Sequence, residues 1–278
     1  MVIDSHQHFW APARGDYFWM SPDNPVLFRD YGPGDLEPLL RRAGVEKTIL
    51  VQAAQTEAET DYMLEIAARA PFVAGVVGWL DFEDEAFAPK LKALMRRPKF
   101  VGLRPMLQDH PDDAYVLRPR VIENLRHVAD LDLPFDILSF PRHLPHVLRA
   151  LDQVPNLRAV VDHLSKPPIA SGRLEGWADD ISRVAQHPNI SCKLSGTVTE
   201  ADHANWTLPD LEPYVRHVFS AFGPDRVMWG SDWPVCLLAA SYAEVLNAVR
   251  AILAPMLDAE SAAKVFGGNA ARFYKLPA

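Results

Sequence analysis

Residues 2–9 read VIDSHQHF, an apolar start followed by two histidines, His6 and His8, with one residue between them. The β-branched start predicts a strand, and side chains two positions apart in a strand point to the same face. Both imidazoles are therefore expected on one face at the end of this strand. As a bare pattern, His-x-His is more often structural than ligand-binding, so its meaning depends on where the strand ends.

Seven further runs rich in Val, Ile, Leu and Phe follow, at 46–54, 72–81, 99–107, 133–140, 157–166, 189–196 and 226–234. Most are continuously apolar, which is typical of parallel strands covered by helices. Helical patterns lie at 36–44, 61–70, 84–97, 117–131, 142–152, 174–187, 209–222 and 241–254. Asp35 and the pair Thr56 and Glu59 are the predicted N-terminal caps of the first two. Eight strand–helix repeats predict an α/β fold, a single (β/α)8 TIM barrel, and we expect 1–278 to form one domain.

The composition narrows the possible partners. The 278 residues carry a formal net charge of −8 and 49% hydrophobic residues. An acidic balance argues against nucleic acid and anionic membranes and leaves small molecules open. The two cysteines, Cys192 and Cys236, do not indicate a disulfide framework, and no signal peptide or membrane span is recognised, so we expect a cytoplasmic protein. The oligomeric state stays open, a homo-oligomer included.

Polar residues gather at the predicted strand ends, where barrel enzymes place their chemistry. Asp232 follows strand 8 in WGSDWP, and His163 ends strand 6 in VVDHLSKPP. A buried carboxylate is costly unless paired, so Asp232 is a candidate metal ligand or general base. The alternatives are a helix cap or a lysine partner for Asp232, and a hydrogen-bonded core histidine for His163.

Two cations and one long loop are candidates for substrate binding. Arg104 lies inside an apolar strand, where a guanidinium needs either a protein carboxylate or a substrate oxygen; Lys193 presents the same alternatives. The loop from Trp10 to Gly34 is long for a compact domain and is expected on the catalytic face. We expect Trp19 and Met20 to cover the substrate. The alternative is a scaffold loop that packs its own aromatic residues.

The motifs GLRPMLQD, VVDHLSKPP, CKLSG and FGPDRVMWGSDWPV together resemble the lactonase branch of the amidohydrolase superfamily. That branch contains L-fucono- and L-rhamnonolactonases and 2-pyrone-4,6-dicarboxylate lactonase. The resemblance implies a metal pocket made of His6, His8 and Asp232, with His163 against the substrate carbonyl or the metal-bound water. Strand 5 (FDILSF) lacks the superfamily's histidine, and strand 4 has Arg104 where a carboxylated lysine is often found. A binuclear centre is therefore not expected, and whether one Zn²⁺ binds or is required stays open.

The resulting hypothesis is hydrolysis of a sugar lactone, of the L-fuconolactone kind, to the aldonic acid. Asp232 is the general base, while His6, His8 and His163 orient the water and stabilise the oxyanion. The small number of cations favours a neutral lactone over 2-pyrone-4,6-dicarboxylate. A dicarboxylate lactonase, a metal-dependent aromatic acid decarboxylase and a non-catalytic binding protein on a barrel scaffold are the alternatives.

Overall fold

The computed structural model describes residues 1–277. One sheet contains eight parallel strands in the order of the chain. They are β1 (Ile3–Gln7), β2 (Lys47–Val51), β3 (Val73–Gly78), β4 (Phe100–Leu103), β5 (Phe135–Ile137), β6 (Ala159–Val161), β7 (Ile190–Leu194) and β8 (Val227–Trp229). Every predicted strand is present, and each is shorter than its apolar run because the run continues into the following loop.

The sheet closes between its first strand and the segment that follows its last. The amide of Asp232 donates to the carbonyl of His6 at 2.8 Å, and the amide of His8 donates to the carbonyl of Trp233 at 2.7 Å. The expected (β/α)8 barrel is thus confirmed. Closure also places Asp232 beside the His-x-His pair, although 224 or more residues separate them in sequence.

Helices lie between the strands and continue beyond the eighth. They are α1 (Pro33–Ala43), α2 (Glu57–Arg69), α3 (Phe87–Leu94), α4 (Pro119–Asp130), α5 (Leu144–Gln153), α6 (Trp177–Ala185), α7 (Leu208–Phe222), α8 (Tyr242–Leu253), α9 (Ala259–Ala263) and α10 (Asn269–Phe273). The predicted cap Asp35 is wrong by one turn, because α1 begins at Pro33. Asp35 instead lies in the first turn and accepts the amide N–H of Gly32 at 2.9 Å.

The predicted pair at the start of α2 is half confirmed. The hydroxyl of Thr56 accepts the amide of Glu59 at 3.1 Å, but the Glu59 carboxylate turns away from the helix. It accepts the amides of Ala53 at 3.0 Å and Ala54 at 2.8 Å, and burial raises its pKa to about 8. Glu59 therefore fixes the backbone that follows β2, which forms part of the cavity described below.

The barrel interior is divided along its axis. At the N-terminal end it is filled by an apolar cluster from the strands and α10 that includes Ile3, Val77, Val160, Met228 and Phe273. Polar side chains fill the C-terminal end, in agreement with the polar residues predicted at the strand ends. Within residues 1–277, no helix has the length and apolar character needed to cross a membrane.

Candidate active site

A cavity of about 110 Å³ opens at the C-terminal end of the barrel. Its walls are formed by His8, Trp19, Ala53, Arg104, Met106, Gln108, Leu138, His163, Lys166, Asp232 and Val235. Five of the predicted site residues are in this group: His8, Trp19, Arg104, His163 and Asp232. His6 lies beside the cavity, 3.2 Å from Nε2 of His8 and 3.3 Å from Nη1 of Arg104, whereas Met20 and Lys193 are not part of the wall.

One carboxylate oxygen is the centre of the site. Oδ1 of Asp232 lies 3.3 Å from Nε2 of His8, 3.8 Å from Nε2 of His6 and 3.8 Å from Nε2 of His163. The Nε2 atoms of His6 and His8 are 3.2 Å apart, so the two imidazoles share one face as strand geometry predicts. Three rings from two strands thus converge on a single acid.

The electrostatics keep this acid ionised and the rings neutral. Burial alone would raise the pKa of Asp232, but the surrounding histidines, His163 first, hold the pKa well below its usual value. Burial lowers the pKa of His163 to about 4, and burial with the charge of Lys193 lowers the pKa of His6 well below its usual value. Near neutral pH the site therefore contains a carboxylate among neutral imidazoles.

Hydrogen bonds to the Nδ1 atoms fix the orientation of the His8 and His163 rings. Nδ1 of His8 lies 2.7 Å from the carbonyl oxygen of Val51; a carbonyl only accepts, so Nδ1 donates and Nε2 of this neutral ring keeps its lone pair. Nδ1 of His163 lies 2.8 Å from the hydroxyl of Ser195. Both Nε2 atoms are consequently held toward Asp232.

His163 begins an unusual turn. His163, Leu164, Ser165 and Lys166 all have positive φ, between 50° and 59°, and a left-handed L-residue costs roughly 1–2 kcal/mol. The turn is held by the hydroxyl pair Ser139 and Ser165 at 2.8 Å and by the indole of Trp177, which donates to the carbonyl of Leu164 at 2.7 Å. Such strain is concentrated at functional sites, and here it brings His163 and Lys166 to the same cavity.

Gly196 makes room for the His163 ring. A Cβ atom at this position would lie 2.9 Å from the ring, and the φ of Gly196 is +66°. Both the close approach and the backbone conformation therefore require glycine. The motif CKLSG places this glycine next to Ser195, the partner of His163.

Arg104 has a protein carboxylate as its partner, the first of the two alternatives that the sequence left open. Its Nη1 donates to Oδ2 of Asp162 at 3.1 Å and lies 3.3 Å from Nε2 of His6, and Nη2 donates to the carbonyl of Gln52. The guanidinium is nevertheless part of the cavity wall. The Arg104 charge is therefore largely neutralised by partners within the protein, while the guanidinium also borders the cavity.

Lys193 lies below the cavity, fully buried. Its Nζ is 2.5 Å from Asp136, 3.0 Å from Asp162 and 3.1 Å from Nδ1 of His6. Tyr274 from the end of the chain also donates to Asp136, at 2.8 Å. Lys193 supports His6 from beneath and does not line the cavity. The direct contact with substrate predicted for Lys193 therefore stays a prediction.

The loop after β1 matches both interpretations of its aromatic residues. Trp10 is buried and pairs with Tyr31 through two backbone hydrogen bonds, at 2.9 and 3.1 Å. Trp19 remains 40% exposed, and its indole donates to the carbonyl of Ala53 at 2.7 Å. Met20 is half-buried and packs against the core. The loop therefore packs its own aromatics and contributes Trp19, rather than Met20, to the cavity wall.

The predicted metal pocket brings suitable donor atoms together. One ligand atom from each of His6, His8 and Asp232 lies within 4.8 Å of the others, and all three residues are buried. The free lone pair on Nε2 of His8 is what a metal requires. These residues fit one Zn²⁺ in chemistry and spacing, although the cations of Arg104 and Lys193 lie against His6.

Sequence reasoning missed much of the cavity wall. Lys166, Met106, Gln108 and Leu138 come from loops or strand continuations, where periodicity gives no orientation. Lys166 had the clearest signal, because it lies three residues after His163 in VVDHLSKPP. Only a turn of the observed kind brings both side chains to one cavity.

Comparison with known proteins agrees with this geometry. A family model described as "Amidohydrolase" matches residues 3–276. An L-fucono-1,5-lactonase of Burkholderia ambifaria is 46% identical over 284 residues, which covers 99% of this chain and 95% of that protein. An L-fucono-1,5-lactonase of Burkholderia multivorans is 38% identical and covers 99% of this chain and 96% of that protein.

A solved structure extends the similarity to three dimensions. The crystal structure of an amidohydrolase from Burkholderia multivorans with bound zinc has a TM-score of 0.95 to this chain. The two sequences are 38% identical, and the alignment covers 100% of both chains. The similarity therefore includes every strand end that contributes to the cavity.

Proposed function

The chain belongs to the amidohydrolase family, and from this membership we propose that it is a lactonase that opens a sugar lactone of the L-fucono-1,5-lactone kind. The observation that carries the proposal is the cluster around Asp232. One ionised carboxylate with three neutral imidazoles in a small cavity is suited to activating one water beside a carbonyl carbon. The identity to two relatives named L-fucono-1,5-lactonase supports the substrate class.

Asp232 is the general base of the proposed reaction. Its carboxylate takes a proton from the water as the water oxygen attacks the acyl carbon. The amide of Asp232 donates to the carbonyl of His6 at 2.8 Å and fixes the residue, and the carboxylate itself is buried. A positioned base of this kind contributes about 10²- to 10⁴-fold to the rate.

The three histidines orient the water and stabilise the developing oxyanion. In this proposal Nε2 of His163, held by Ser195, faces the carbonyl oxygen, and His6 and His8 complete the pocket for the water. Fixed polar groups act strongly in a site that excludes water, because they need no reorganisation during the reaction. The ring oxygen then leaves with the proton that Asp232 received.

A neutral substrate fits the charges of the wall better than a dicarboxylate. Arg104 is paired with Asp162, and Lys166 is the other cation of the wall in the described part of the chain. A dianion would require more unpaired cations than these. Arg104 is proposed to contact substrate oxygens at the wall, and Trp19 to cover the sugar ring.

One Zn²⁺ would be held by His6, His8 and Asp232, and when bound it would supply Lewis-acid polarisation of the carbonyl. The base and the oriented rings belong to the chain itself. We therefore propose that metal binding is compatible with the reaction and is not a condition for it.

The test is a pH-indicator screen of purified protein against L-fucono-, L-rhamnono-, L-galactono- and D-galactonolactone and 2-pyrone-4,6-dicarboxylate. Each substrate is assayed with and without a chelator, beside the Asp232→Asn variant purified in the same way. We expect acid release from L-fucono-1,5-lactone that persists in chelator and is absent in the variant. Turnover of the pyrone alone would contradict the neutral substrate. Inactivity on every lactone, together with CO₂ release from an aromatic acid, would contradict the lactonase proposal and indicate a decarboxylase.

A further inference from the structure

We propose that Lys166 binds the carbonyl oxygen of the lactone and then the carboxylate that hydrolysis makes from it. The proposal rests on the lactonase function above and adds a residue that the predicted site did not contain. It makes Lys166 a catalytic residue, and it assigns the protein's affinity for its anionic product to one side chain.

The first observation is the way the backbone presents this side chain. Lys166 ends the left-handed turn that starts at His163, and its amide donates to the carbonyl of His163 at 2.6 Å. Pro167 follows directly. An extended or right-handed backbone would send the two side chains in other directions, so the turn couples the position of the Lys166 ammonium to that of the His163 ring.

The second observation is that the ammonium has no anionic partner. Within residues 1–277, Nζ of Lys166 makes neither an ion pair nor a hydrogen bond; it lies 5.2 Å from the centre of the Phe140 ring. The nearby acid Glu200 is half-buried; burial and Asp232 raise its pKa, and the charge of Lys166 lowers it. Lys166 and Glu200 nevertheless form no ion pair. A half-buried lysine on a cavity wall without an acceptor is available to a ligand oxygen.

The other cations near the site are already engaged. Arg104 donates to Asp162 and to the carbonyl of Gln52, and Lys193 is sealed between Asp136 and Asp162. Lys166 is therefore the cation of the described wall that lacks a protein acceptor, whereas Arg104 offers a substrate only the donors that its protein partners leave. Charge-assisted hydrogen bonds of this kind are about twice as strong as neutral ones.

The charge changes of the reaction give this cation its role. The water oxygen bonds to the acyl carbon, the water proton goes to Asp232, and the carbonyl oxygen becomes an oxyanion. The bond from the acyl carbon to the ring oxygen then breaks, and the leaving oxygen takes the proton from Asp232. The new carboxylic acid loses its proton to solvent. The substrate is neutral, whereas the intermediate and the product are anions, so Lys166 favours the last two.

The test compares Lys166→Met, Lys166→Arg and the control Lys92→Met, which removes an exposed lysine of helix α3. For each protein we would measure kcat and KM with L-fucono-1,5-lactone. We would also measure inhibition by L-fuconate and by 1,5-anhydro-L-fucitol, the neutral cyclic ether without a carbonyl.

For Lys166→Met we expect kcat to fall about 10- to 100-fold and inhibition by L-fuconate to weaken about tenfold or more. KM and inhibition by the neutral ether should change little, Lys166→Arg should restore part of the L-fuconate affinity, and Lys92→Met should resemble the wild type. Because Lys166→Arg keeps the charge, it remains informative if the Met variant folds poorly.

The outcomes separate this proposal from the function on which it rests. An active wild type whose Lys166→Met variant is unchanged in kcat and in L-fuconate inhibition overturns the role of Lys166 alone. A folded Lys166→Arg variant that has lost L-fuconate inhibition entirely would do the same. Equal weakening of both inhibitors would show a general effect on the cavity and would also overturn it. A wild type inactive on every lactone overturns both proposals.

Discussion

Two groups of ionisable residues lie at different depths inside the same barrel. The open group, His8, His163 and Asp232, borders the cavity, whereas the sealed group, Asp136, Asp162 and Lys193, lies beneath it. In the sealed group each charge has an opposite charge within 3.0 Å. In the open group Asp232 has only imidazole partners among the described residues.

The difference shows how a barrel separates support from chemistry. Burial in the sealed group is compensated by close ion pairs, so these charges fix positions and have little capacity to bind anything else. The Asp232 carboxylate is surrounded by rings that burial keeps neutral, which leaves its oxygen atoms available to a water. His6 joins the two groups, because Nδ1 contacts Lys193 and Nε2 lies near Asp232.

The largest expected effect comes from the open group. Asp232→Asn should reduce kcat for L-fucono-1,5-lactone about 10³-fold, because the amide cannot accept the proton from water. The unfolding temperature should stay within about 2 °C of the wild type, because no Lys or Arg ion pair of the described residues is lost. Initial rates and thermal unfolding measure the two quantities. Turnover near that of the wild type would remove Asp232 from its role.

The sealed group should respond in stability. Lys193→Met leaves Asp136 buried without its cation and leaves Asp162 with Arg104 alone, so we expect a loss of about 3–5 kcal/mol in the free energy of unfolding. Urea denaturation measures this loss. The double variant Lys193→Met with Asp136→Asn should recover part of it. A single variant as stable as the wild type would show that the sealed group is not an ion-pair network.

Gly196→Ala tests whether displacing the His163 ring in the open group lowers catalytic activity. The new Cβ would lie 2.9 Å from the His163 ring, so we expect kcat/KM to fall about tenfold or more. Gly172→Ala is the matched control, because its φ of +67° is similar and no atom of residues 1–277 beyond its own neighbours lies within 4 Å of its Cβ. Both variants should lose similar backbone stability, and only Gly196→Ala should lose activity. Equal activity in both would contradict the placement of the His163 ring.

The pH profile should show a smaller effect, confined to acid conditions. The pKa of His163 is lowered by burial to about 4, so its ring stays neutral down to about pH 5 and kcat/KM should be flat from pH 5 to 8. Folding favours the neutral ring; this stabilisation is present above the ordinary histidine pKa near 6.5 and is lost as the pH falls toward 4. An acid limb in kcat/KM with its midpoint near 6.5 would contradict neutral imidazoles in a desolvated site.

The comparison of depth also explains what the sequence could predict. Continuous apolar runs predicted all eight strands, and strand periodicity placed His6 and His8 on one face. The sequence also placed Lys193 in the apolar run of the seventh strand, but depth along the axis depends on strand tilt and stagger, which no local pattern encodes. Lys193 therefore looked like a substrate contact and lies beneath the cavity.

Loops set a second limit on prediction. Trp19 and Met20 are neighbours in one aromatic segment, and Trp19 borders the cavity, where its indole donates to the carbonyl of Ala53. Lys166 was missed because four consecutive left-handed residues have no sequence signature when none of them is glycine. These positions depend on contacts with distant loops, which fold only when the barrel closes.

The most direct test of the central claim is a single turnover of L-fucono-1,5-lactone in H₂¹⁸O with the enzyme in excess. If Asp232 activates water, mass spectrometry should find one ¹⁸O in the carboxylate of L-fuconate and none in the peptide that contains Asp232. Label in that peptide would show that Asp232 attacks the carbonyl itself and forms a covalent intermediate. That result would contradict its role as a general base.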